Sequence, residues 1–345
     1  MPRFQLNEER ENLFSLYQVV HPEVLSKIVG SRVFGLEQEV PLGGMKVDIC
    51  GWAEGSNQNI YGEIQLIPAD ARHKEKIMKI LTDIARGIVV WQALSFEKRE
   101  HLIEEVKDFA KGLKRPIDIL FVEINPNLFP FLENLKLFYS LDVISNLSLL
   151  SEVNEPFKKI AEYRGRDLFG EEEQDGTLEA VNGSQGQVVH EPLQHEPKSL
   201  STRLGANIYI LEEIRKKMAY YPGAYRAKSR LDTNAITFGA GNGNTFEISI
   251  RDNYSHVKLR IQKKNISTWM HVKMDKLIIE NRIEYRINFK EERTSYIVDV
   301  PILSSAKRPR IEVLDEMVQV FKVFVEFFTK YFYEMEPERK VVGAR

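Results

Sequence analysis

Apolar and polar positions change period several times along the chain, and each change marks a new element. Residues 7–29 carry apolar side chains at three- and four-residue spacing and read as two short helices, with Pro22 in the first turn of the second. From Val33 the period falls to two. Val33–Val40, Met45–Trp52 and Asn59–Ile67 read as strands joined by Pro41-Leu-Gly-Gly44 and Glu54-Gly-Ser-Asn-Gln58, so residues 33–67 predict a three-strand meander. Asp70 then caps a helix whose apolar stripe is His73, Ile77, Ile80, Leu81 and Ile84, and Gly87 ends it. Ile88–Ala93 reads as a strand, Ser95 as the cap of a second helix striped by Phe96, Ile103, Val106, Ala110 and Leu113, and Ile117–Ile124 as a further strand. A meander followed by strand, helix, strand, helix and strand predicts a mixed sheet with helices packed on it. Asn127–Phe131 is broken by proline, and this domain is expected to close near residue 150.

Residues 165–204 change character. They hold Gly170-Glu-Glu-Glu-Gln-Asp-Gly176, Asn182-Gly-Ser-Gln-Gly-Gln187 and two His-Glu-Pro triplets at 190–192 and 195–197. So few apolar residues cannot offset the entropy of ordering, and the stretch reads as a flexible linker. Metal binding by the triplets is the weaker alternative to a solvated linker. Periodicity returns afterwards: Ile208–Tyr220 as a helix, Thr245–Arg251 and His256–Gln262 as a hairpin, Lys273–Ile283 as a helix, Tyr296–Val300 as a strand and Arg310–Tyr333 as a long closing helix. The expected organisation is an N-terminal domain over 1–150, a linker over 165–204 and a C-terminal domain over 205–345. The fold class is α/β: a mixed sheet flanked by helices, then an α+β domain with an antiparallel sheet and a long terminal helix.

Composition narrows the classes. The chain has 345 residues, 43% of them hydrophobic, enough for two packed domains. Lys plus Arg number 48 against 50 Asp plus Glu, so any basic surface must be local. A lone cysteine, Cys50, excludes an internal disulfide and a cysteine-built zinc site, and fits a reducing cytoplasm. The opening Met-Pro-Arg-Phe-Gln-Leu-Asn-Glu-Glu-Arg is too charged to read as a signal peptide, and no apolar run is long enough to span a bilayer. Gly239-Ala-Gly-Asn-Gly-Asn244 lacks the lysine of a phosphate loop and reads as a connection between strands.

The segment Ile60-Tyr-Gly-Glu-Ile-Gln-Leu66 places Glu63 and Gln65 inside an apolar run. A strand alternates faces, so these two point the same way. On the preceding strand Lys46, Asp48 and Cys50 share a face, and if the strands are neighbours Asp48 and Glu63 lie side by side. Adjacent buried carboxylates repel unless a cation separates them, and Mg²⁺, or Mn²⁺, is the natural hard cation for oxygen ligands. The Ile64 carbonyl offers a further ligand. The plain alternative is a polar, solvated edge of a sheet.

Asp, a hairpin, then Glu-x-Lys on the next strand is the pattern of the PD-(D/E)XK restriction-endonuclease-like superfamily. Asp48 followed by Glu63-Ile64-Gln65 resembles it, with Gln65 where the lysine usually stands. The closest resemblance is to a group with a tRNA-endonuclease-like or NucS-like N-terminal domain, in which the motif often reads Glu-x-Gln. Glu39 before the hairpin and Pro68-Ala-Asp-Ala-Arg-His73 after it match further features of that group. The C-terminal half, through Lys273–Arg286 and the aromatic final helix, resembles the uncharacterised α/β domain that follows in such proteins.

The resemblance implies a metal-dependent phosphodiesterase acting on nucleic acid, with DNA the expected substrate, in genome defence or repair. Asp48, Glu63, Ile64 and Glu39 are then the expected metal ligands, and Asp48, Glu63, Gln65 and His73 the expected catalytic set. Gln65 can orient a water but carries no charge, so Lys46, Lys74 or Lys76 would have to substitute for the missing lysine. His73 is either a proton shuttle or phosphate contact, or a hydrogen-bonded core histidine. Lys46, Arg72, Lys74, Lys76, Arg226, Lys228 and Arg230 are the candidate phosphate contacts, the last three beside Tyr220, Tyr221 and Tyr225. Two other readings stand beside the nuclease. One is a catalytically silent nucleic-acid-binding module. The other is a homodimeric scaffold built on the aromatic final helix, whose aromatics would otherwise pack on their own sheet. No membrane partner is expected.

Overall fold

Strand alternation and helical stripes organise a computed structural model that describes residues 3–54, 58–133, 147, 149–153, 155–165, 200–219, 221–228, 230–241, 243–304 and 308–333. Most of the expected linker, including both His-Glu-Pro triplets and the two glycine-rich stretches, lies outside the described residues, as do Tyr220, Asn242 and residues 334–345. The chain divides into two units. One comprises residues 1–137 and 144–194 with Tyr225–Ala227, and the other residues 138–143, 195–224 and 228–345.

The first unit opens with two helices, α1 (Arg3–Val20) and α2 (Pro22–Val29), the second started by proline and stopped by Gly30 in the left-handed conformation. The meander follows as β1 (Val33–Leu42), β2 (Met45–Ala53) and β3 (Gln58–Gln65). Two crossovers come next: α3 (Ala71–Asp83) to β4 (Gly87–Ala93), and α4 (Glu100–Leu113) to β5 (Ile117–Ile124). A short α5 (Phe129–Glu133) and an edge strand β6 (Phe157–Arg164) complete it. The six strands lie in chain order, with β3, β4 and β5 parallel and the other pairings antiparallel. Helices α3 and α4 cover one face through Ile77, Ile80, Leu81, Leu102, Ile103 and Val106, which pack on Val89, Trp91, Ile119 and Phe121. The other face meets α1, where Gln18 and Gln92, both fully buried, exchange two side-chain hydrogen bonds of 3.0 and 2.8 Å.

Three local readings change. Gly87 begins β4 rather than ending α3, which stops at Asp83; the Arg115 guanidinium caps that helix by donating to the carbonyls of Leu81, Thr82 and Ile84. Ser95 does not cap α4. Its hydroxyl accepts the Glu97 N–H in a turn, and the helix starts five residues after it, at Glu100. The edge strand β6 gave no clear alternation and had not been expected.

The second unit holds α6 (Arg203–Lys217), β7 (Ala235–Gly241), β8 (Asn244–Ser249), β9 (Tyr254–Gln262), α7 (Ile266–Met274), α8 (Lys276–Ile283), β10 (Asn288–Glu291), β11 (Ser295–Leu303) and α9 (Arg310–Tyr333). Its five-stranded sheet is antiparallel throughout, in the order β10-β11-β9-β8-β7. The glycine-rich stretch read as a connection between strands does join β7 to β8, but its first three residues, Gly239–Gly241, already belong to β7, along which Ile236, Phe238 and Ala240 alternate inward. The single helix expected over Lys273–Ile283 is two, separated at Asp275. The aromatics of α9 pack on their own sheet: Phe321, Phe324, Phe328 and Phe332 are buried, and Phe321 meets Phe238 at 4.8 Å and Phe246 at 5.9 Å between ring centroids. The protein is therefore mixed α/β, and among the described residues no helix is long and apolar enough to cross a membrane.

Candidate metal and phosphate site

The β2–β3 hairpin pairs Ile49 with Gly62 and Cys50 with Tyr61. At the next position the backbone ladder gives way to a side chain: Asp48 Oδ2 accepts the Ile64 N–H at 2.7 Å. Glu63 lies beside it, opposite Trp91 of β4 and therefore on the face covered by α3 and α4. Its side chain is only 2% exposed. Lys76, in the second turn of α3, reaches down onto both acids. Its ammonium is 2.5 Å from Glu63 Oε2 and 3.2 Å from Asp48 Oδ1. The contact to Asp48 is a hydrogen bond, whereas the contact to Glu63 is an ion pair outside hydrogen-bond geometry. One ammonium thus holds together two carboxylates that the strands force side by side.

The electrostatics follow from burial. Desolvation pushes the Glu63 carboxyl well above the usual range, the Asp48 charge pushes it further, and Lys76 opposes both. Desolvation works against the Lys76 charge, but Asp48 and Glu63 outweigh it and hold that pKa above its ordinary value. A third carboxylate borders the group: Glu11 of α1 accepts the Leu66 N–H at 3.0 Å, and its charge also raises Glu63. Gln65, fully buried on the Glu63 face, donates weakly to the Ile67 carbonyl at 3.4 Å, while its Oε1 has no hydrogen-bond partner. A buried amide oxygen left in this way costs about 1–3 kcal/mol.

The expected site residues divide into those brought together and those held elsewhere. Asp48, Glu63 and Lys76 converge, and Gln65 lies two residues along β3 from Glu63, with its amide turned to the Ile67 carbonyl. Ile64 contributes its N–H to Asp48. Glu39 does not join the group. It sits across from Asp48 with a left-handed φ of 54°, and its carboxylate goes to Lys46 at 3.1 Å and Arg226 at 3.5 Å, since Tyr225–Ala227 pair beside Gln38 at the edge of β1. His73 is held by its own helix cap. Asp70 Oδ1 accepts the His73 N–H and contacts His73 Nδ1, each at 2.9 Å. Those bonds outweigh the partial desolvation of Asp70 and keep its carboxyl below the usual range.

Most of the expected phosphate contacts are engaged within the protein. Lys46 pairs with Glu39, and Lys74 with Glu105 at 2.5 Å. Lys228 donates to the carbonyls of Gly223 and Thr237, and Arg230 binds Asp232 at 2.9 and 3.1 Å. Arg72 stays exposed on the first turn of α3. Glu11 escaped sequence reasoning because it lies in the charged run Asn7-Glu-Glu-Arg-Glu11, and only the packing of α1 on the sheet brings it to β3.

The donors suit a hard cation. Two carboxylates converge on one cationic position, and two residues further along β3 the Gln65 amide oxygen has no hydrogen-bond partner. Among the described residues, no group of three or more His, Cys, Asp or Glu side chains is arranged to hold a metal ion. No family model, curated protein or solved structure matches the chain.

Proposed function

We propose that the chain is a metal-dependent nucleic-acid phosphodiesterase, with DNA as the expected substrate, serving genome defence or repair in a reducing cytoplasm. The convergence of Asp48 and Glu63 on a single cationic position at the end of a buried strand carries this reading. Asp48 and Glu63 are the residues that would hold Mg²⁺ or Mn²⁺. When bound, such a metal polarises a phosphate oxygen and acidifies a water. Lys76, a quarter exposed, has a route from the carboxylates toward solvent and the phosphate, where it supplies the positive charge that Gln65 cannot. The Gln65 Oε1, which has no hydrogen-bond partner, would accept a hydrogen bond from an attacking water and orient it without taking its proton. His73, fixed on Asp70, has no proton-transfer part in this reading.

One observation favours a second reading. Lys76 already occupies the position between the two acids and offsets one of their charges, as expected of a catalytically silent module that binds nucleic acid and keeps the ion pair for stability. Titration calorimetry of Mg²⁺ and Mn²⁺, followed by cleavage assays on DNA and RNA, separates the two. Wild type should bind metal and cut. Asp48→Ala and Glu63→Gln should lose both properties. Lys76→Ala should bind metal at least as tightly, because its competing ammonium is gone, yet cut on the order of 100-fold more slowly. Cleavage untouched by Asp48→Ala rejects the site. Wild type that binds nucleic acid but no metal supports the silent module.

A further inference from the structure

Helices α7 and α8 are apolar on two sides. Trp269, Val272, Ile279 and Ile283 face inward and are buried. Ile266, Met270 and Met274, four residues apart, form a second stripe that Leu277 and Ile278 continue, and they are 55%, 51%, 74%, 73% and 60% exposed. A surface helix needs only one apolar stripe to hold it to its own core. Side chains of this size, so exposed, present on the order of 500 Å² of apolar area, near the top of the range for the largest patch on a monomer. Alongside runs a groove of about 730 Å³ between α8 and α9, bordered by Ile278, Arg282, Glu284, Lys322, Glu326 and Phe327.

We propose that this ridge and groove form the contact with a second copy of the chain. Two observations select that occupant. The border of the groove is charge-balanced, Arg282 and Lys322 against Glu284 and Glu326, with Lys322 and Glu326 already 4.0 Å apart along α9, so under a two-fold axis it can face a copy of itself without net like-charge repulsion. An anionic bilayer asks instead for a single-sign basic rim and a surface without a cleft. The area also fits: the ridge alone supplies more than half of the about 800 Å² that each partner of a standard interface buries, and the groove adds to it. The pairing places the dimer contact on α7, α8 and the side of α9 that borders the groove, not on the buried aromatics Phe321, Phe324, Phe328 and Phe332, which are spent on the unit's own sheet.

Sedimentation equilibrium of the full chain should return a dimer. Met274→Glu combined with Leu277→Glu should weaken it by about 100-fold or more, with the circular dichroism spectrum unchanged, because both side chains are mostly exposed. Ile311→Glu, at an exposed position on α9, should leave the dimer intact. Wild type that stays monomeric at every concentration overturns the proposal. So does a dimer indifferent to the paired substitution, or a monomer that uses this face to bind anionic vesicles or an acidic helical peptide.

Discussion

Replacing Lys76 by methionine keeps most of the side-chain stem and removes the charge shared by Asp48 and Glu63. At an effective dielectric constant near 20, charges 2.5 Å apart attract by roughly 6–7 kcal/mol. Most of that offsets desolvation, and breaking a buried pair by removing one partner typically costs about 3–5 kcal/mol. Lys76 and Asp48 are 27% and 28% exposed, so water relieves part of the loss. We expect about 3 kcal/mol at pH 8. The loss must depend on pH. Glu63 already has a folded pKa above its unfolded one, and without Lys76 it rises further. An acid shifted in that direction binds more protons when folded, so its stabilising contribution is present below the unfolded pKa and is lost as pH climbs through the folded one. The variant's deficit should therefore be smaller at pH 5 than at pH 8, because protonation of Glu63 removes the buried charge that has lost its counter-ion. Hydrogen exchange of the β3 and β4 amides at increasing urea, corrected for intrinsic rates, reads this unit without interference from the other. Adding Glu63→Gln should return most of the stability at pH 8 and flatten the pH dependence. Equal losses at pH 5 and pH 8, or no loss at all, would refute the reasoning.

Three further outcomes follow from the packing. Asp70→Ala removes the cap of α3 and should cost about 1 kcal/mol at neutral pH in urea unfolding. Because the Asp70 pKa is depressed in the folded protein, that difference should shrink as pH falls below the ordinary value of 3.8. Gln92→Leu strands the buried Gln18 amide and should cost about 1–3 kcal/mol, most of it regained when Gln18→Leu is added. Gly165→Ala would place a methyl 2.4 Å from the Ile117 carbonyl oxygen and 2.7 Å from that of Arg115. Thermal denaturation should show a loss of about 1–3 kcal/mol there, and a comparable one for Gly62→Ala, where the new methyl meets Cγ1 of Ile49 at 2.4 Å, a buried β-branched side chain that is stiff at χ1.

What the sequence revealed was local. The stripe of α3, its Asp70 cap and the alternation of the meander each depend on neighbours a few residues away, and each is present. The adjacency of Asp48 and Glu63 follows from hairpin alternation and was equally legible. Lys76 could be suspected as a substitute cation, but its place between the acids depends on how α3 crosses the sheet, which spacing does not encode. Glu11 depends on an even more distant packing. Strand β6, Phe-Lys-Lys-Ile-Ala-Glu-Tyr-Arg, hides its period because an edge strand exposes both faces and its pairing with β5 is bulged. Strand β7 was missed because glycine signals a turn more strongly than Ile236, Phe238 and Ala240 signal alternation, although the turn from β7 to β8 was legible. The helix over Lys273–Ile283 was misplaced because α7 and α8 carry apolar residues on two sides and so lack a clear single stripe.

The parallel pairing of β3 with β4 also sets an order of assembly. The meander can close through contacts near in sequence, which brings Asp48 to Ile64 early while Glu63 still faces water. β4 cannot join until the chain has crossed over through α3, and a contact of that range forms late in folding. When α3 lands, it removes water from Glu63 and delivers the Lys76 ammonium in the same movement. Dehydration and neutralisation are therefore one kinetic event, and no intermediate has to carry a dry, unpaired carboxylate. The reverse holds in the native state. Any fluctuation that lifts α3 rehydrates Glu63 as it withdraws its counter-charge, so the helix and the acid open and close as a single cooperative unit.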